Sequence, residues 1–80
     1  MFVKDAVSER IIYLCKERGL CLNELANISG VTPSTVYSLV NPLRRDVSVS
    51  TVKKLCDGLE ITLSQFFSTP DFDALEQEIR

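Results

Sequence analysis

A run of short polar side chains, followed by two arginines, is the part of this 80-residue sequence best suited to bind a polar, negatively charged ligand. Hydroxyl and amide groups can hydrogen-bond to base edges or phosphate oxygens, and arginine forms bidentate bonds with phosphate. The run therefore indicates contact with nucleic acid. The candidate contact residues are Thr32, Pro33, Ser34, Thr35, Tyr37, Ser38, Asn41, Arg44 and Arg45.

These residues lie in a pattern typical of a helix-turn-helix, in which a short helix, a glycine turn and a second helix follow one another. Thr32 can cap the second helix with its hydroxyl, and Pro33 suits the first helical position, where no N–H is needed. Gly30 can adopt the left-handed conformation that ends the preceding helix. The pattern predicts that a helix over residues 33–40 presents its start to the ligand.

Several candidates also have a purely structural interpretation. Tyr37 could contact a DNA backbone or could cover its helix as a half-buried aromatic residue, and neither is preferred. Arg44 and Arg45 fit phosphate better than they fit a solvated pair, because they closely follow the second helix. Asn41 could bond a phosphate, but its place before a proline makes helix termination an interpretation at least as good.

The composition argues against several other kinds of site. The sequence has no histidine, and its three cysteines lack a C-x-x-C spacing, so neither a disulfide framework nor a zinc site is expected. Cys15 and Cys56 recur at helical spacing among apolar residues, which favours core packing over redox sensing, whereas Cys21 is ambiguous. No catalytic pair stands in a recognisable spacing. We therefore expect no enzyme activity, metal, cofactor or small-molecule ligand.

Charge is unevenly distributed along the chain, whose formal net charge is −2. Residues 70–80 carry a local charge of −3, whereas residues 1–69 carry eight basic and seven acidic side chains, or +1. A domain whose net charge is close to zero can still bind DNA through a local basic patch, although long-range electrostatic steering is then modest. No segment approaches the roughly 18 apolar residues of a membrane span, and a secretory signal is not supported. A soluble, cytoplasmic protein with no membrane partner is expected.

Apolar residues recur at helical spacing, and no segment alternates as a strand does, so the sequence predicts an all-α fold of five short helices plus a sixth at the C-terminus. The predicted helices span about residues 4–18, 22–29, 33–40, 49–59, 63–67 and 71–79. Start signals occur at Thr32-Pro33, Thr62-x-x-Gln65 and Thr69-Pro70. The residues expected to face inward include Val7, Ile11, Leu14 and Cys15, then Leu25, Ala26 and Ile28, then Val36, Leu39 and Val40, then Val52, Leu55, Cys56 and Leu59, and finally Leu63, Phe66 and Phe67.

The chain divides into a helix-turn-helix domain over residues 1–69 and an acidic, amphipathic C-terminal helix or tail over residues 70–80. Phe72, Leu75 and Ile79 would share one face of that last helix. This face could fold back on its own domain or form a two-fold interface. We favour a homodimer, because helix-turn-helix proteins commonly read paired half-sites and a single DNA-binding domain with weak contacts would bind poorly.

Residues 7–67 resemble the Cro/CI-type (XRE-like) helix-turn-helix repressor domain, a lambda-repressor-like five-helix fold. The matching pieces are RIIYL at 10–14, GL at 19–20, ELA at 24–26, GVTPSTVY at 30–37 and STVKKLCDGLEITLSQFF at 50–67. The resemblance implies that the third helix enters the major groove of double-stranded DNA while the second lies across the backbone. It also implies a prokaryotic or phage transcriptional regulator.

The sequence departs from this family where its members usually present polar anchors. Cys21 and Leu22 stand where the family commonly has a small polar cap and a glutamine. Ser34, Thr35 and Ser38 are short, so base readout would rest on single hydroxyl bonds and thymine-methyl contacts. Sequence discrimination by the third helix is expected to be weak.

Two functions therefore remain open. The favoured one is a DNA-binding transcriptional regulator, and the alternative is a helix-turn-helix scaffold that acts as a protein-interaction module, antitoxin-like or anti-repressor, without DNA binding. Basic residues clustered beside the start of the third helix, drawn from Arg44, Arg45, Lys53 and Lys54, would favour DNA. An acidic or apolar patch there would favour a protein partner.

Overall fold

A computed structural model describes residues 1–79, and Arg80 lies outside the described residues. Over this range the chain forms six α-helices and no strand. In chain order they are α1 Val3–Arg18, α2 Leu22–Ser29, α3 Pro33–Val40, α4 Val49–Leu59, α5 Leu63–Phe66 and α6 Pro70–Asp73. The predicted all-α fold is confirmed, and the bounds of the first four helices agree with expectation to within one residue.

Local capping groups explain where the later helices begin. The hydroxyls of Thr32, Ser48 and Thr62 each accept a hydrogen bond from the backbone N–H three residues further on. Thr62 and Gln65 form the complete reciprocal box, since the Thr62 N–H donates to the Gln65 side chain at 2.8 Å. Thr69 has the extended backbone of a cap, but its side chain makes no capping bond. All three predicted start signals thus precede helices, and two of them use the hydroxyl.

Left-handed residues end the first two helices and the fourth. Gly19 and Gly30 have φ angles of 65° and 68°, as the glycine positions predict. Glu60 follows α4 with a φ of 58°, a conformation that costs a residue other than glycine roughly 1–2 kcal/mol. That cost must be met by the contacts around the end of α4.

One apolar core joins the first five helices. α2 packs against both α3 and α4, while α1 packs against α3 and α5 against α4. Ile11, Leu25, Val36, Leu55 and Phe66, one from each of these helices, are fully buried. Burying a side chain of this size contributes about 1.5–3 kcal/mol. The helical stripes predicted from the sequence therefore form the interior.

Two arginines of α1 bind the carboxyl ends of other helices. The Arg10 guanidinium donates to the carbonyl oxygens of Phe66 at 2.8 Å and Gln65 at 2.9 Å, at the end of α5. Arg18 donates to the Leu59 carbonyl oxygen in the last turn of α4. Cationic donors suit these positions, because the last carbonyls of a helix lack intrahelical partners and carry partial negative charge.

The prediction that Ile28 faces inward is wrong, since 49% of its surface is exposed. The buried residues of α2 are Leu25 and Ala26. On a helix the arc between these two positions spans about 100°, and Ile28 lies about 60° beyond its edge. In a helix this short, apolar spacing alone does not define the buried face.

The sixth helix is confirmed but is shorter than the predicted span of residues 71–79. It ends at Asp73, and Ile79 is 87% exposed, so the expected apolar face does not extend that far. Phe72 does turn inward, with its ring centroid 4.8 Å from that of Phe67 and 6.2 Å from that of Phe66. These rings join α6 to the core.

Contacts with the N-terminal segment explain why helix α6 does not continue. The Glu76 N–H donates to the Met1 carbonyl oxygen at 3.1 Å, and the Glu76 carboxylate pairs with the Met1 ammonium at 2.7 Å. The Glu78 carboxylate accepts a bond of 3.0 Å from the Val3 N–H in the first turn of α1. A longer α6 would instead place two carboxylates near its own carboxyl end, where the helix dipole disfavours them.

Gly58 provides a test of how α4 packs on the end of α2. A Cβ atom at this position would lie 3.0 Å from the Ile28 carbonyl oxygen and 3.0 Å from the Ser29 Cα, and closer still to the Ser29 Oγ. We expect Gly58→Ala to lower the free energy of unfolding by about 1–3 kcal/mol through overpacking. Alanine would otherwise favour the helix by about 1 kcal/mol. Urea denaturation measures the change.

Ser29→Ala is the matched control. The Ser29 Oγ is buried and has no hydrogen-bond partner among residues 1–79, so its removal should cost little. In the Ser29→Ala background, Gly58→Ala should be less destabilising. Stabilisation by Gly58→Ala in the wild-type background would show that the two helices do not approach this closely.

Candidate nucleic-acid interface

Hydroxyl groups cluster at the exposed start of α3. The Thr32 Oγ1 lies 3.1 Å from the Ser34 Oγ and 2.9 Å from the Thr35 Oγ1, and it accepts a 3.4 Å bond from the Thr35 N–H. Thr32, Pro33 and Ser34 are exposed, whereas Thr35 is half-buried. The cluster offers donors and acceptors to an approaching ligand, and it is held in place by the cap that starts the helix.

The orientation of α3 is set by its buried side. Val36 is fully buried and Leu39 is 5% exposed, which turns Ser34 and Tyr37 to the surface. Half of the Tyr37 surface is exposed. Ser38 is half-buried, so it presents less of its side chain than Ser34 does. Ser34 and Tyr37 are therefore more accessible to a binding partner than Thr35 and Ser38 are.

Asn41 ends α3 and starts the next loop. Its Oδ1 accepts a 2.9 Å bond from the Leu43 N–H, and its carbonyl oxygen accepts a 3.1 Å bond from the Arg44 N–H. These bonds support the structural interpretation of Asn41 as a helix terminator. Contact between Asn41 and phosphate remains a prediction.

Residues of α1 hold the carboxyl end of α3. The Lys4 ammonium donates to the Asn41 carbonyl oxygen at 3.0 Å, and the Ser8 hydroxyl donates to the Val40 carbonyl oxygen at 3.3 Å. Lys4 is only 2% exposed, and its burial, together with nearby Arg45, lowers its pKa. Sequence reasoning did not single out Lys4, because no local pattern shows that the carboxyl end of a distant helix covers it.

Arg45 is joined to Asp5 at the start of α1. Its Nη1 and Nη2 donate to the two carboxylate oxygens at 3.0 and 3.1 Å, and Nη1 also donates to the Pro42 carbonyl oxygen at 3.1 Å. The Asp5 carboxylate accepts a further 2.9 Å bond from the Phe2 N–H. Arg45 and then Phe2 lower the pKa of Asp5 from its ordinary 3.8 to about 2, and Asp5 in turn raises the pKa of Arg45.

The other basic residues considered for the predicted site differ in whether their charge is paired. Lys53 pairs with Asp57 one turn further along α4. Arg44 is exposed, and within residues 1–79 neither its side chain nor that of Lys54 makes a hydrogen bond or ion pair. Two of the four basic residues therefore keep an unpaired charge, and their clustering beside the start of α3 stays a prediction.

Residues 25–45, which include all nine candidate contacts, contain no aspartate or glutamate. The segment carries two arginines and therefore a formal charge of +2. This local excess contrasts with the chain's net charge of −2. Because Arg45 pairs with Asp5 and Asp46 directly follows it, Arg44 carries the unpaired positive charge of this segment.

The start of α2 lacks the polar anchor that is common in the resembling family. The Cys21 N–H donates to the Glu24 carboxylate at 2.9 Å, and this bond lowers the pKa of Glu24. Leu22 packs partly against the core. All three cysteines have free thiols, with Cys15 and Cys56 buried and Cys21 exposed.

The described residues show no group of metal-ligating side chains. Over the same range, no helix is both long enough and apolar enough to cross a bilayer.

Comparison with known proteins agrees with the geometry. Residues 10–71, which are 62 of the 80 residues, match the model of the Cro/C1-type HTH DNA-binding domain. A similar solved structure is the crystal structure of the prophage Lp1 protein 11, with a TM-score of 0.82 and 26% sequence identity. The alignment covers 94% of this chain and 100% of that chain. No curated protein matches the sequence.

The Asp5–Arg45 pair predicts a pH dependence of stability. The pKa of Asp5 is about 2 in the folded chain and 3.8 ordinarily, so ionised Asp5 stabilises the fold above about pH 4. We expect Asp5→Asn to melt at a lower temperature than wild type at pH 7. The difference should shrink from pH 4 towards pH 2, as Asp5 becomes protonated. Thermal unfolding followed by circular dichroism at several pH values measures it.

Glu17→Gln is the control, since Glu17 is an exposed acid of the same helix whose carboxylate accepts a bond from Tyr13 instead. A melting-temperature difference between wild type and Asp5→Asn that stays constant down to pH 2 would show that the pair is not formed.

Proposed function

The chain belongs to the Cro/C1-type helix-turn-helix DNA-binding family, and from this membership we propose that it is a transcriptional regulator that reads the major groove of DNA with α3. The observation that carries the proposal is the exposed hydroxyl cluster at the start of α3, within a segment free of acidic residues. A helix of this kind fits the major groove, where its first residues reach base edges. The protein would act in the cytoplasm of a prokaryotic cell.

The proposed contacts fall into two groups. Thr32, Pro33, Ser34, Thr35, Tyr37 and Ser38 lie on or beside the first turns of α3 and would meet bases and the adjacent backbone. Asn41, Arg44 and Arg45 lie in the loop after α3, which would form the part of the site that faces the phosphates. The first group supplies specificity and the second supplies affinity and position.

Base discrimination by this site should be modest. Ser34 and Thr35 each offer one hydroxyl, and both hydroxyls already contact Thr32. A bidentate pair is worth about 1–3 kcal/mol of discrimination, and no side chain of α3 has the fork that such a pair needs. Preference for the best site over random duplex should therefore lie near the low end of the roughly 10³–10⁷ range for specific binders.

We also propose that the protein binds as a homodimer. Two DNA-binding domains, one from each protomer, would bind half-sites about 34 Å apart. Their combined binding would compensate for the weak contacts of each domain. Since Phe72 packs on its own core, the remaining apolar residues of the tail are Leu75, which is half-buried, and Ile79, which is exposed. Sedimentation of the chain with and without a selected DNA site would establish the stoichiometry.

Replacing both loop arginines tests the backbone contacts. We expect Arg44→Ala with Arg45→Ala to weaken binding to selected and random duplexes by similar factors. The slope of log affinity against log salt should flatten by about one unit for each phosphate group that the variant no longer binds. Titrations at several salt concentrations measure both quantities. Unchanged affinity and slope would show that the loop does not reach the backbone.

Ser34→Glu tests the role of α3. The longer acidic side chain should abolish selective binding through steric clash and repulsion from phosphates, while Val36 and the core keep the fold intact. Ser64→Glu, at an exposed position of α5, is the charge-matched control and should bind as wild type does. Competition between a selected site and random DNA at one salt concentration gives the readout.

Circular dichroism should give the same helical content for Ser34→Glu as for wild type. Equal, negligible DNA binding by wild type and Ser34→Glu would count against a DNA reader and would favour a protein-interaction scaffold.

A further inference from the structure

The loop of residues 41–45 is attached to α1 at both of its ends. At the first end, the Lys4 ammonium binds the Asn41 carbonyl oxygen at 3.0 Å. At the second end, Arg45 forms a two-pronged pair with Asp5 at 3.0 and 3.1 Å. Within the loop, the Arg44 N–H binds the Asn41 carbonyl oxygen at 3.1 Å. The main chain that carries Arg44 is therefore constrained from both sides.

The charge of Arg45 is already neutralised within the molecule. Both Nη atoms face the Asp5 carboxylate, and the Glu78 carboxylate adds a second negative group nearby. Binding to phosphate gains affinity largely because a cation replaces condensed counterions. The Asp5–Arg45 pair has no net charge, so few condensed counterions would be released when it meets phosphate. While it binds Asp5, Arg45 therefore contributes little to the affinity for DNA.

Arg44 is in the opposite situation. Its side chain is exposed, and among residues 1–79 it makes no hydrogen bond or ion pair. The backbone of Arg44 is fixed by its bond to Asn41, while its guanidinium is exposed to solvent. This combination suits a residue that binds an external anion, because little backbone entropy is lost on binding.

We propose that the two adjacent arginines have different roles: Arg44 contacts DNA phosphate, and Arg45 is a positioning residue that orients Arg44 by holding the loop on Asp5. This inference rests on the proposed DNA-binding function and specifies how its basic loop works. Lys4 acts with Arg45, since it holds the other end of the same loop. Arg44 and Arg45 look equivalent in the sequence, but in the fold Arg45 is paired with Asp5 and Arg44 is exposed.

The decisive variant removes the Asp5–Arg45 pair, which we call the tether, without changing the net charge. In Asp5→Ala with Arg45→Ala, we expect affinity for a selected duplex to fall by about two- to five-fold, as expected for loss of an exposed pair. The salt slope should flatten by less than in Arg44→Ala, because Arg44 keeps its charge but is presented less well to the phosphate. Arg44→Ala alone should flatten the slope by about 0.9. Fluorescence titrations between low and moderate salt measure affinity and slope together.

A third comparison shows whether Arg45 acts through Arg44. Arg44→Ala should cost less affinity in the Asp5→Ala, Arg45→Ala background than in wild type, because the loop no longer presents Arg44 correctly. A merely structural role of the pair would leave the cost of Arg44→Ala unchanged. Additive costs would therefore overturn the proposal.

Lys16→Ala with Glu17→Ala is the matched control, because it removes two exposed side chains of opposite charge from α1, about three turns along the helix from Asp5. It should leave affinity and slope unchanged. An equal loss in this control would show that the effect is not specific to the loop. A slope that flattens by about two units in the Asp5→Ala, Arg44→Ala, Arg45→Ala variant, against about one unit in Arg44→Ala, would show that Arg45 itself contacts phosphate.

The tether can also be measured without DNA. Backbone ¹⁵N order parameters of residues 43–46 should fall in the Asp5→Ala, Arg45→Ala variant, from about 0.85 towards 0.6, and should not change in the control. Absence of DNA binding by wild type would refute the proposed function while leaving this measurement to decide the tether. Unchanged order parameters in the tether variant would refute the positioning role directly.

Discussion

The fold depends on one repeated interaction, in which side chains of α1 donate to the carboxyl ends of other helices. Lys4 and Ser8 bind the end of α3, Arg18 binds the end of α4, and Arg10 binds the end of α5. None of these three helices ends at glycine. Because unpaired carbonyls at helix ends are costly, these donors stabilise the ends of α3 and α5, and at α4 they add to the left-handed cap that Glu60 forms. The apolar core brings the helices together, and these bonds hold the carboxyl ends of α3, α4 and α5 against α1.

This arrangement leaves the two ends of α3 with different surroundings. Its carboxyl end is covered by α1, whereas its start carries an exposed hydroxyl cluster around Thr32. A helix that is anchored at one end and exposed at the other presents its first turn to a partner with little freedom to tilt. The contacts that we propose for Ser34 and Thr35 would then act together, since the entropy cost of ordering these residues has already been met in folding.

The sequence predicts what depends on neighbouring residues, and it predicts less of what depends on distant ones. The starts of α3 and α5 follow from Thr32 and Thr62, whose capping bonds span three residues. Ile28 was misplaced because a short helix leaves the choice of buried face to its neighbours. The bond between Asp5 and Arg45 joins residues 40 positions apart, so no local pattern reveals it. The sequence therefore predicts the nine candidate contacts as a group, without the different roles that we propose for Arg44 and Arg45.

The balance of charge explains why such long-range pairs matter for this protein. The chain has a net charge of −2, and the segment that forms the site has only two cations. One of them is neutralised by Asp5, so the site relies on very few free charges. Affinity for phosphate scales with the number of cations that release counterions, and the loss or gain of one is then a large fraction of the total. In the proposed DNA-binding role, the placement of a single carboxylate on α1 would therefore influence binding although Asp5 lies outside the proposed contact residues.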